Sequence, residues 1–190
     1  MKCPLCNSRK GKRKCLIADG CICSLCCGQT RNEDACQSCS FYKEPGLRRK
    51  YNEVPSYTTR QMEANAELQT YSNVIEGAIC SFDHQTDNTI NDTIAIGIIE
   101  LLLDRYHFKD EIIKFDSELV QNGFDYVNKA IEKDLSDIPS ENIVKVLGVI
   151  HFVAKRRTSG RREYLKIIND YVGEHIGPGA RVLRGFGNLS

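Results

Sequence analysis

The sequence predicts a mainly α-helical protein, in which a small two-zinc, cysteine-rich module at the N-terminus precedes a bundle of about five helices. Three observations support this prediction. Nine of the ten cysteines lie within the first 39 residues, mostly in pairs at the spacing of metal ligands. Beyond residue 56 the apolar residues recur at helical spacing. Between these regions, a stretch with two prolines and no periodicity is typical of a linker.

The predicted domain boundaries follow these changes in composition. Residues 1–42 form the cysteine-rich zinc-binding module, residues 43–56 the linker and residues 57–176 the helical domain, and the glycine-rich stretch 177–190 is expected to be a flexible tail. A stretch of about forty residues buries too little apolar surface to fold unaided. Thiolate-bound zinc can supply on the order of 10–16 kcal/mol of apparent folding free energy, so we expect coordination to replace a core there.

The spacing of apolar residues predicts the helices of the body. The first is expected to begin at a cap formed by Ser56 or Thr58, and the second, apolar on almost every side, to lie at the centre of the bundle. The third has Ile112 and Phe115 on its predicted buried face and Gly123 as a weak point. No strand is evident in the sequence. The apolar positions that predict the five helices lie within residues 64–82, 94–103, 112–131, 143–154 and 164–172.

The cysteine spacing predicts two sites of four sulfurs each. Two thiolates with two residues between them can face one tetrahedral ion at about 2.3 Å. The order of the pairs favours interleaving, in which the first and third pairs share one ion and the remaining cysteines share the other. One of Cys21, Cys26 and Cys27 is then left over. The predicted metal ligands are Cys3, Cys6, Cys23 and Cys27 for the first ion and Cys15, Cys21, Cys36 and Cys39 for the second, with Cys26 as the alternative to Cys27 or Cys21.

Other uses of the cysteines fit the sequence less well. A catalytic zinc keeps an open position beside a carboxylate base, and the sequence contains neither a His-x-Glu nor a His-Glu-x-x-His motif. The metal is therefore expected to be structural, and the sequence favours a non-enzymatic protein over an enzyme with its active site in the helical body. Four cysteines can also hold an iron–sulfur cluster, but the spacings match neither ferredoxin run.

The segment Ile22-Cys-Ser-Leu-Cys-Cys27 resembles the third ligand pair of HIT- and MYND-type zinc fingers, which interleave two ions. The HIT pattern implies Cys27 as the ligand in preference to Cys26. Over most of the chain, a wider set of motifs resembles a family of uncharacterised prokaryotic proteins that pair a cysteine-rich zinc head with a helical body. These motifs are Cys3-Pro-x-Cys6, Ile22-Cys-Ser-Leu-Cys-Cys-Gly-x-x-Arg31, Cys36-x-x-Cys39 with Tyr42, and Arg156-Arg-x-x-Gly-Arg161.

Charge is balanced overall but uneven along the chain. The net charge is +1, divided into +7 for residues 1–50, −11 for 51–152 and +5 for 153–190. Two basic regions around an acidic one favour nucleic acid as a partner. The longest apolar run, residues 94–103, is roughly half of what a bilayer span needs, and the first residues contain no apolar signal segment. We therefore expect a cytoplasmic protein without a membrane partner, whose thiols stay reduced.

Two basic segments are predicted to contact phosphates. One places five cations in six positions between the first and second cysteine pairs, although these cations could instead offset the charge of the metal sites, about −2 for each zinc with four thiolates. The other contains Arg161 and Arg162, which open a predicted helix where the dipole disfavours cations and so suggest an anion-binding turn. The predicted contacts are Arg9, Lys10, Lys12, Arg13, Lys14, Arg156, Arg157, Arg161 and Arg162.

Three classes of function fit these features. The first is a zinc-stabilised, non-enzymatic protein that binds nucleic acid, and it is favoured because basic regions flank the acidic body. The alternative is a protein–protein adaptor whose zinc finger serves as a rigid recognition surface. The third class is an enzyme with its active site in the helical body.

Overall fold

The computed structural model describes residues 1–36, 39–41, 49–177 and 179–183, without the side chains of Glu33 and Asp34. Within them the protein is mainly helical with a cysteine-rich start, so the predicted fold class is confirmed. The chain divides into two compact units, Met1–Arg49 and Lys50–Ser190, called here the head and the body. Several predicted features lie outside the described residues, namely Tyr42, residues 43–48 of the linker, and residues 178 and 184–190 of the tail.

The head is built from a narrow loop, a hairpin and two short helices. Its elements are β1 (Arg13–Cys15), β2 (Gly20–Ile22), α1 (Ser24–Gln29) and α2 (Glu33–Cys36). The loop before β1 is closed by an antiparallel bridge between Lys2 and Lys10. The buried residues at its centre are Ile22 and three cysteines, so sulfur atoms occupy the place of an apolar core. The two strands were not predicted, because three residues are too few to show an alternating pattern.

The body is a helical bundle preceded by a 3-10 turn at Tyr51–Glu53. Its helices are α3 (Thr59–Ala64), α4 (Ala66–Gln85), α5 (Asp92–Tyr106), α6 (Glu118–Asp134), α7 (Ser140–Arg157) and α8 (Glu163–Tyr171). Helix α5 is buried at the centre, as its apolar sequence predicted, and Leu102 and Leu103 have no exposed surface. Val54, in the segment predicted as linker, is buried in the same core. None of the helices in the described ranges combines the length and the apolar content that a membrane span requires.

The first predicted helix of the body is divided at Asn65. Thr58 begins α3 through a capping box with Gln61. Asn65 then leaves the helical conformation, with φ −131° and ψ 108°, and its side chain accepts hydrogen bonds from the amides of Glu67 and Leu68 at 2.9 and 3.2 Å. An asparagine in this role begins a new helix, which explains the break between α3 and α4.

The third predicted helix begins later than its apolar pattern suggested. Ser117 caps α6 by accepting a hydrogen bond from the amide of Val120 at 3.3 Å, so the helix starts at Glu118. Ile112, predicted to face inward, is instead 80% exposed in the preceding loop. Phe115 also lies outside the helix, but its ring packs against that of Phe124 with centroids 5.4 Å apart.

The body ends in a hairpin where a flexible tail was predicted. Strand β3 (Glu174–Gly177) pairs antiparallel with β4 (Ala180–Val182). Gly173 before β3 has φ +75°, and a side chain there would overlap the carbonyl oxygen of Val182. Strand β3 lies against α4, since the amide of His175 donates to Ser81 Oγ at 3.0 Å. Residues 180–182 therefore form part of the folded body.

Candidate metal centre

Four cysteines of the head converge on one small volume. The Sγ atoms of Cys3, Cys6, Cys23 and Cys26 all lie within 4.8 Å of one another. This set is called here the four-sulfur group. Cys3 and Cys6 lie on the loop closed by the bridge between Lys2 and Lys10, whereas the other two cysteines lie at the start of α1. Segments about twenty residues apart in sequence thus supply two sulfurs each.

The loop that contains Cys3 and Cys6 is shaped by its backbone hydrogen bonds. The amide of Cys3 donates to the carbonyl of Arg9 at 2.7 Å, and the amide of Asn7 donates to the carbonyl of Cys3 at 2.8 Å. Asn7 adopts a left-handed conformation with φ +50°, which asparagine tolerates better than most residues. The hydroxyl of Ser8 and the amides of Ser8 and Arg9 then reach the Cys6 sulfur and lower the pKa of Cys6 to about 5.

The other two sulfurs are positioned by the first turn of α1. Cys23 is the N-cap residue, and its sulfur accepts a hydrogen bond from the amide of Cys26 at 3.5 Å. A residue three positions after the N-cap lies over it, so the Cys26 side chain faces the same volume. Helix α1 ends at Gln29, and the hydroxyl of the C-cap residue Thr30 donates to the Cys26 carbonyl at 2.8 Å.

The surroundings of the group shift the pKa values of Cys6 and Cys26 in opposite directions. A hydrogen bond to the Cys23 sulfur, together with burial, raises the pKa of Cys26 to about 12. Burial also raises the pKa of Cys3, but amide donors from Cys23, Cys6 and Leu5 outweigh this effect and leave its pKa lowered. Four thiolates in this volume would repel each other unless a cation compensated their charge. The group could hold a metal ion of that kind.

The fourth sulfur of the group is that of Cys26, which the sequence offered as the alternative to Cys27. The HIT pattern favoured Cys27. Cys27 is half-buried outside the four-sulfur group, and its sulfur accepts a hydrogen bond from Arg13 Nη1 at 3.7 Å. The physical reason is the cap itself, because the amide of Cys26, three residues after Cys23, bonds the Cys23 sulfur and directs the Cys26 side chain toward it. Within the described residues, no second set of three or more such ligands is this close.

The cysteines predicted to bind a second ion are distributed over the head. Cys15 is half-buried and Cys21 is exposed, on neighbouring strands of the hairpin. The amide of Cys39 donates to the carbonyl of Cys36 at 2.9 Å. Both members of that pair are half-buried. The structure thus gathers the predicted first site and leaves the predicted second set separated.

Strand alternation divides the basic residues of the head into two groups. Arg13 is half-buried; its guanidinium contacts the Cys27 sulfur and lies 5.4 Å from the centroid of the Phe41 ring. The neighbouring cations on either side of it project outward, because successive residues of a strand face opposite sides. The exposed cations of this segment are Arg9, Lys10, Lys12 and Lys14.

The predicted anion-binding turn of the body is occupied by the protein's own groups. The guanidinium of Arg162 bonds both carboxylate oxygens of Asp83, at 3.0 and 2.7 Å, and Asp83 has no exposed surface. The same guanidinium donates to the carbonyls of Asn88, at 2.8 Å, and Ile90. Arg162 therefore bridges α8 to the end of α4 and the loop after it, and its charge is matched inside the body.

The N-terminus of α8 is capped by a residue that sequence reasoning missed. The carboxylate of Asp92, which has no exposed surface, accepts from the amides of Tyr164 and Leu165 at 3.0 Å and from the hydroxyl of Thr158 at 2.6 Å. This anion offsets the cost of cations at the start of a helix. Asp92 precedes α8 by about seventy residues, and the sequence offers no signal for such a contact.

The remaining arginines of the predicted turn lie at the end of α7 and just beyond it. Arg156 stacks over the ring of Phe152 at 5.3 Å, which leaves its guanidinium at the surface. Arg157 and Arg161 are exposed. Glu163 holds this turn by accepting hydrogen bonds from the hydroxyl of Ser159 and nearby amides, which lower the pKa of Glu163 to about 2.

Together, the fold and the site define a mainly helical protein whose cysteine-rich head contains a four-sulfur group able to hold a metal ion. Comparison with protein-family models, with curated protein sequences and with solved structures gave no match. The resemblance to a family with a cysteine-rich zinc head therefore stays a prediction. The function has to be argued from the residues themselves.

Proposed function

We propose that the chain is a zinc-stabilised, non-enzymatic protein that binds the phosphates of nucleic acid through its head. One observation supports this proposal above the others: Arg9, Lys10, Lys12 and Lys14 are exposed on a short segment that directly follows two ligands of the four-sulfur group. Metal binding would hold these cations in a fixed arrangement. A preformed cationic surface loses less conformational entropy when it binds a polyanion.

The proposal of zinc follows from the ligands. Four sulfurs without a histidine or carboxylate suit a structural zinc, whose bonds of about 2.3 Å place tetrahedral sulfurs about 3.8 Å apart. The Sγ atoms of Cys6 and Cys23 are 3.9 Å apart. We propose two zinc ions per chain, the second held by further cysteines of the head. Elemental analysis with an absorption spectrum tests this, since an iron–sulfur cluster would be brown and would contain iron.

The distribution of charge on the head favours a polyanionic partner. Arg13 is directed toward the Cys27 sulfur, so it compensates sulfur charge, whereas Lys12 and Lys14 face outward. In the body, Arg157 and Arg161 are exposed, and we include them as a second contact with the nucleic acid. Arg162 is left out of the proposal because Asp83 already binds its guanidinium.

The test is a binding titration with labelled single-stranded and duplex oligonucleotides over a series of salt concentrations. We expect the triple variant Lys10→Gln/Lys12→Gln/Lys14→Gln to bind more weakly. The slope of log K against log salt should shrink in magnitude by about 2 on a single strand, from about 0.7 per lost phosphate contact. The matched control, Lys129→Gln/Lys133→Gln/Lys166→Gln, removes three exposed lysines of the body and should leave the slope nearly unchanged. Absence of binding at low salt to either nucleic acid would reject the proposal.

A second candidate function is a protein–protein adaptor, and exposed apolar side chains on the head favour it. The side chains of Leu5, Leu16, Ile17 and Leu25 are 48–55% exposed. Exposed apolar residues on a rigid module are typical of protein contacts. If the head recognises a protein, Leu16→Ser/Ile17→Ser should abolish capture of that partner while metal content stays unchanged. The triple lysine variant should then capture it normally.

A further inference from the structure

We infer that the second ion is held by Cys15, Cys27, Cys36 and Cys39, and that Cys21 is the cysteine without a metal. This inference rests on the proposed metal-stabilised head and specifies its second ligand set. It differs from the set expected from the sequence by exchanging Cys21 for Cys27. Three features of the head support it: the faces of the hairpin, the contact between β1 and α1, and the position of the last cysteine pair.

Cys21 and Cys15 lie on opposite faces of the hairpin. Residues directly opposite each other in an antiparallel pair project from the same face, and successive residues alternate between faces. Cys21 pairs with Lys14, and both are exposed. Cys15 pairs with Gly20 and lies on the opposite face, together with Arg13. The two sulfurs therefore project from opposite sides of the hairpin and cannot approach one ion at about 2.3 Å without a change in strand register.

Cys27 contacts the face of the hairpin on which Cys15 lies. The guanidinium of Arg13, two residues before Cys15 on the same side of β1, donates to the Cys27 sulfur at 3.7 Å. Cys15 and Cys27 also both pack against the buried cluster that contains Cys3, Cys23 and Cys26. Because Cys27 directly follows Cys26 on α1, the first site would also set the position of Cys27. Cys15 and Cys27 thus both lie beside one cluster, on the side of the hairpin that Arg13 occupies.

The segment that follows the last cysteine pair contacts the same face. The ring of Phe41, two residues after Cys39, lies 5.4 Å from the Arg13 guanidinium. The carbonyl of Phe41 also accepts a hydrogen bond from Arg31 Nη2 at 3.5 Å. These contacts hold the segment after Cys39 beside the side chain that touches Cys27. A Cys-x-x-Cys pair at that position supplies the two sulfurs that a tetrahedral site still lacks.

The four sulfurs of this second set are more widely separated than those of the first, because no three of them lie within 4.8 Å of one another in the described residues. Ion binding would draw Cys36 and Cys39 toward the face defined by Cys15 and Cys27. The resulting site would carry a net charge of about −2, and the N–H of Arg13 on the Cys27 sulfur would stabilise it. Adjacent cysteines, Cys26 and Cys27, would then serve different ions.

The test is the number of zinc ions bound per chain, measured by native mass spectrometry and elemental analysis on the reduced full-length protein. We expect two ions in the wild type and in Cys21→Ser, but one in Cys27→Ser. Cys27→His keeps a zinc ligand at this position and should bind two, which separates a ligand role from a packing role. Circular dichroism of each variant reports whether the remaining site still folds the head.

Each other outcome has a definite meaning. If Cys21→Ser binds one ion and Cys27→Ser binds two, the second set contains Cys21 and the inference is overturned. If the wild type and Cys27→Ser both bind a single ion, there is no second site, although the four-sulfur group and the proposed head remain. If the wild type binds no metal, the proposed function fails together with the inference.

Discussion

Asn7 illustrates how one residue prepares the four-sulfur group. Its left-handed backbone, with φ +50°, follows Cys6 directly and turns the chain back on itself. The hydroxyl of Ser8 and the amides of Ser8 and Arg9 then reach the Cys6 sulfur and lower the pKa of Cys6 to about 5. A lowered pKa favours the thiolate, which is the form of cysteine that binds metal.

Gly123 matters because it has no side chain, which allows the neighbouring helices to pack closely. A Cβ atom there would overlap Ile98 Cδ1 and lie 2.8 Å from Phe82 Cε1, so α6 can approach α4 and α5 only without a side chain. We expect Gly123→Ala to lower the free energy of unfolding by about 1–3 kcal/mol in urea denaturation, despite the better helix propensity of alanine.

The control for this substitution is Gly97→Ala on the neighbouring helix. A Cβ at Gly97 would have no atom within 4 Å. This variant should be as stable as the wild type or gain up to about 1 kcal/mol. Equal effects of the two substitutions would mean that the close approach at Gly123 is absent.

Glu76 makes the stability of the body depend on pH. Its carboxylate accepts from Tyr164 Oη at 2.9 Å and Ser72 Oγ at 3.1 Å, and burial raises its pKa above the ordinary 4.5. The folded state therefore binds this proton more tightly than the unfolded chain. The associated stability is fully present below pH 4.5 and is lost as the pH rises through the folded-state pKa.

Glu76→Gln should remove this pH dependence, because the amide cannot ionise and can still accept from Tyr164. Relative to the wild type, we expect the variant to gain stability as the pH increases from about 4 to about 8 in urea denaturation. A difference between Glu76→Gln and the wild type that stays constant with pH would contradict the raised pKa of Glu76.

At the scale of elements, the arrangement of the head requires that its first loop lie very close to the hairpin. A Cβ at Gly11 would overlap the carbonyl oxygen of Cys21 and lie 2.6 Å from its carbonyl carbon, next to the hydrogen bond from the Lys12 amide to the Ile22 carbonyl at 3.0 Å. This contact sets the loop with Cys3 and Cys6 against the strand that leads to Cys23.

Gly11→Ala should therefore weaken metal binding. An overlap with backbone costs about 1–3 kcal/mol, so we expect the metal affinity to fall by roughly 5- to 150-fold in competition with a chelator. Gly28→Ala is the matched control in the same unit, because nothing lies within 4 Å of a Cβ at that position of α1. Similar affinities for the two variants would show that the approach of the loop to the hairpin does not position the ligands.

The sequence predicted well those elements that depend on local pattern. Long apolar repeats predicted the helices of the body, and the pairs of cysteines predicted that Cys3, Cys6 and Cys23 come together. The sequence did not show whether Cys26 or Cys27 joins the four-sulfur group. This depends on the residue at which α1 begins and on the sulfur to which its first amides donate. Contacts such as Asp92 with the start of α8 depend on the packing of distant segments, so no local pattern contains them.

At the scale of the whole molecule, the two units are stabilised by different means. The body has a continuous apolar core formed by its helices, whereas the buried centre of the head is Ile22 with Cys3, Cys23 and Cys26. The unit Lys50–Ser190 should therefore remain folded under conditions that unfold Met1–Arg49. Chelation in reducing buffer is such a condition, because it would remove a bound metal without affecting apolar packing.

Hydrogen exchange of the reduced protein, with its metal and after chelation, tests the central claim most directly. We expect amides in β1, β2 and α1 to lose their protection when the metal is removed and to regain it when zinc is added back, while α4 to α8 stay protected throughout. A metal-free, reduced head whose amides remain protected would contradict the account.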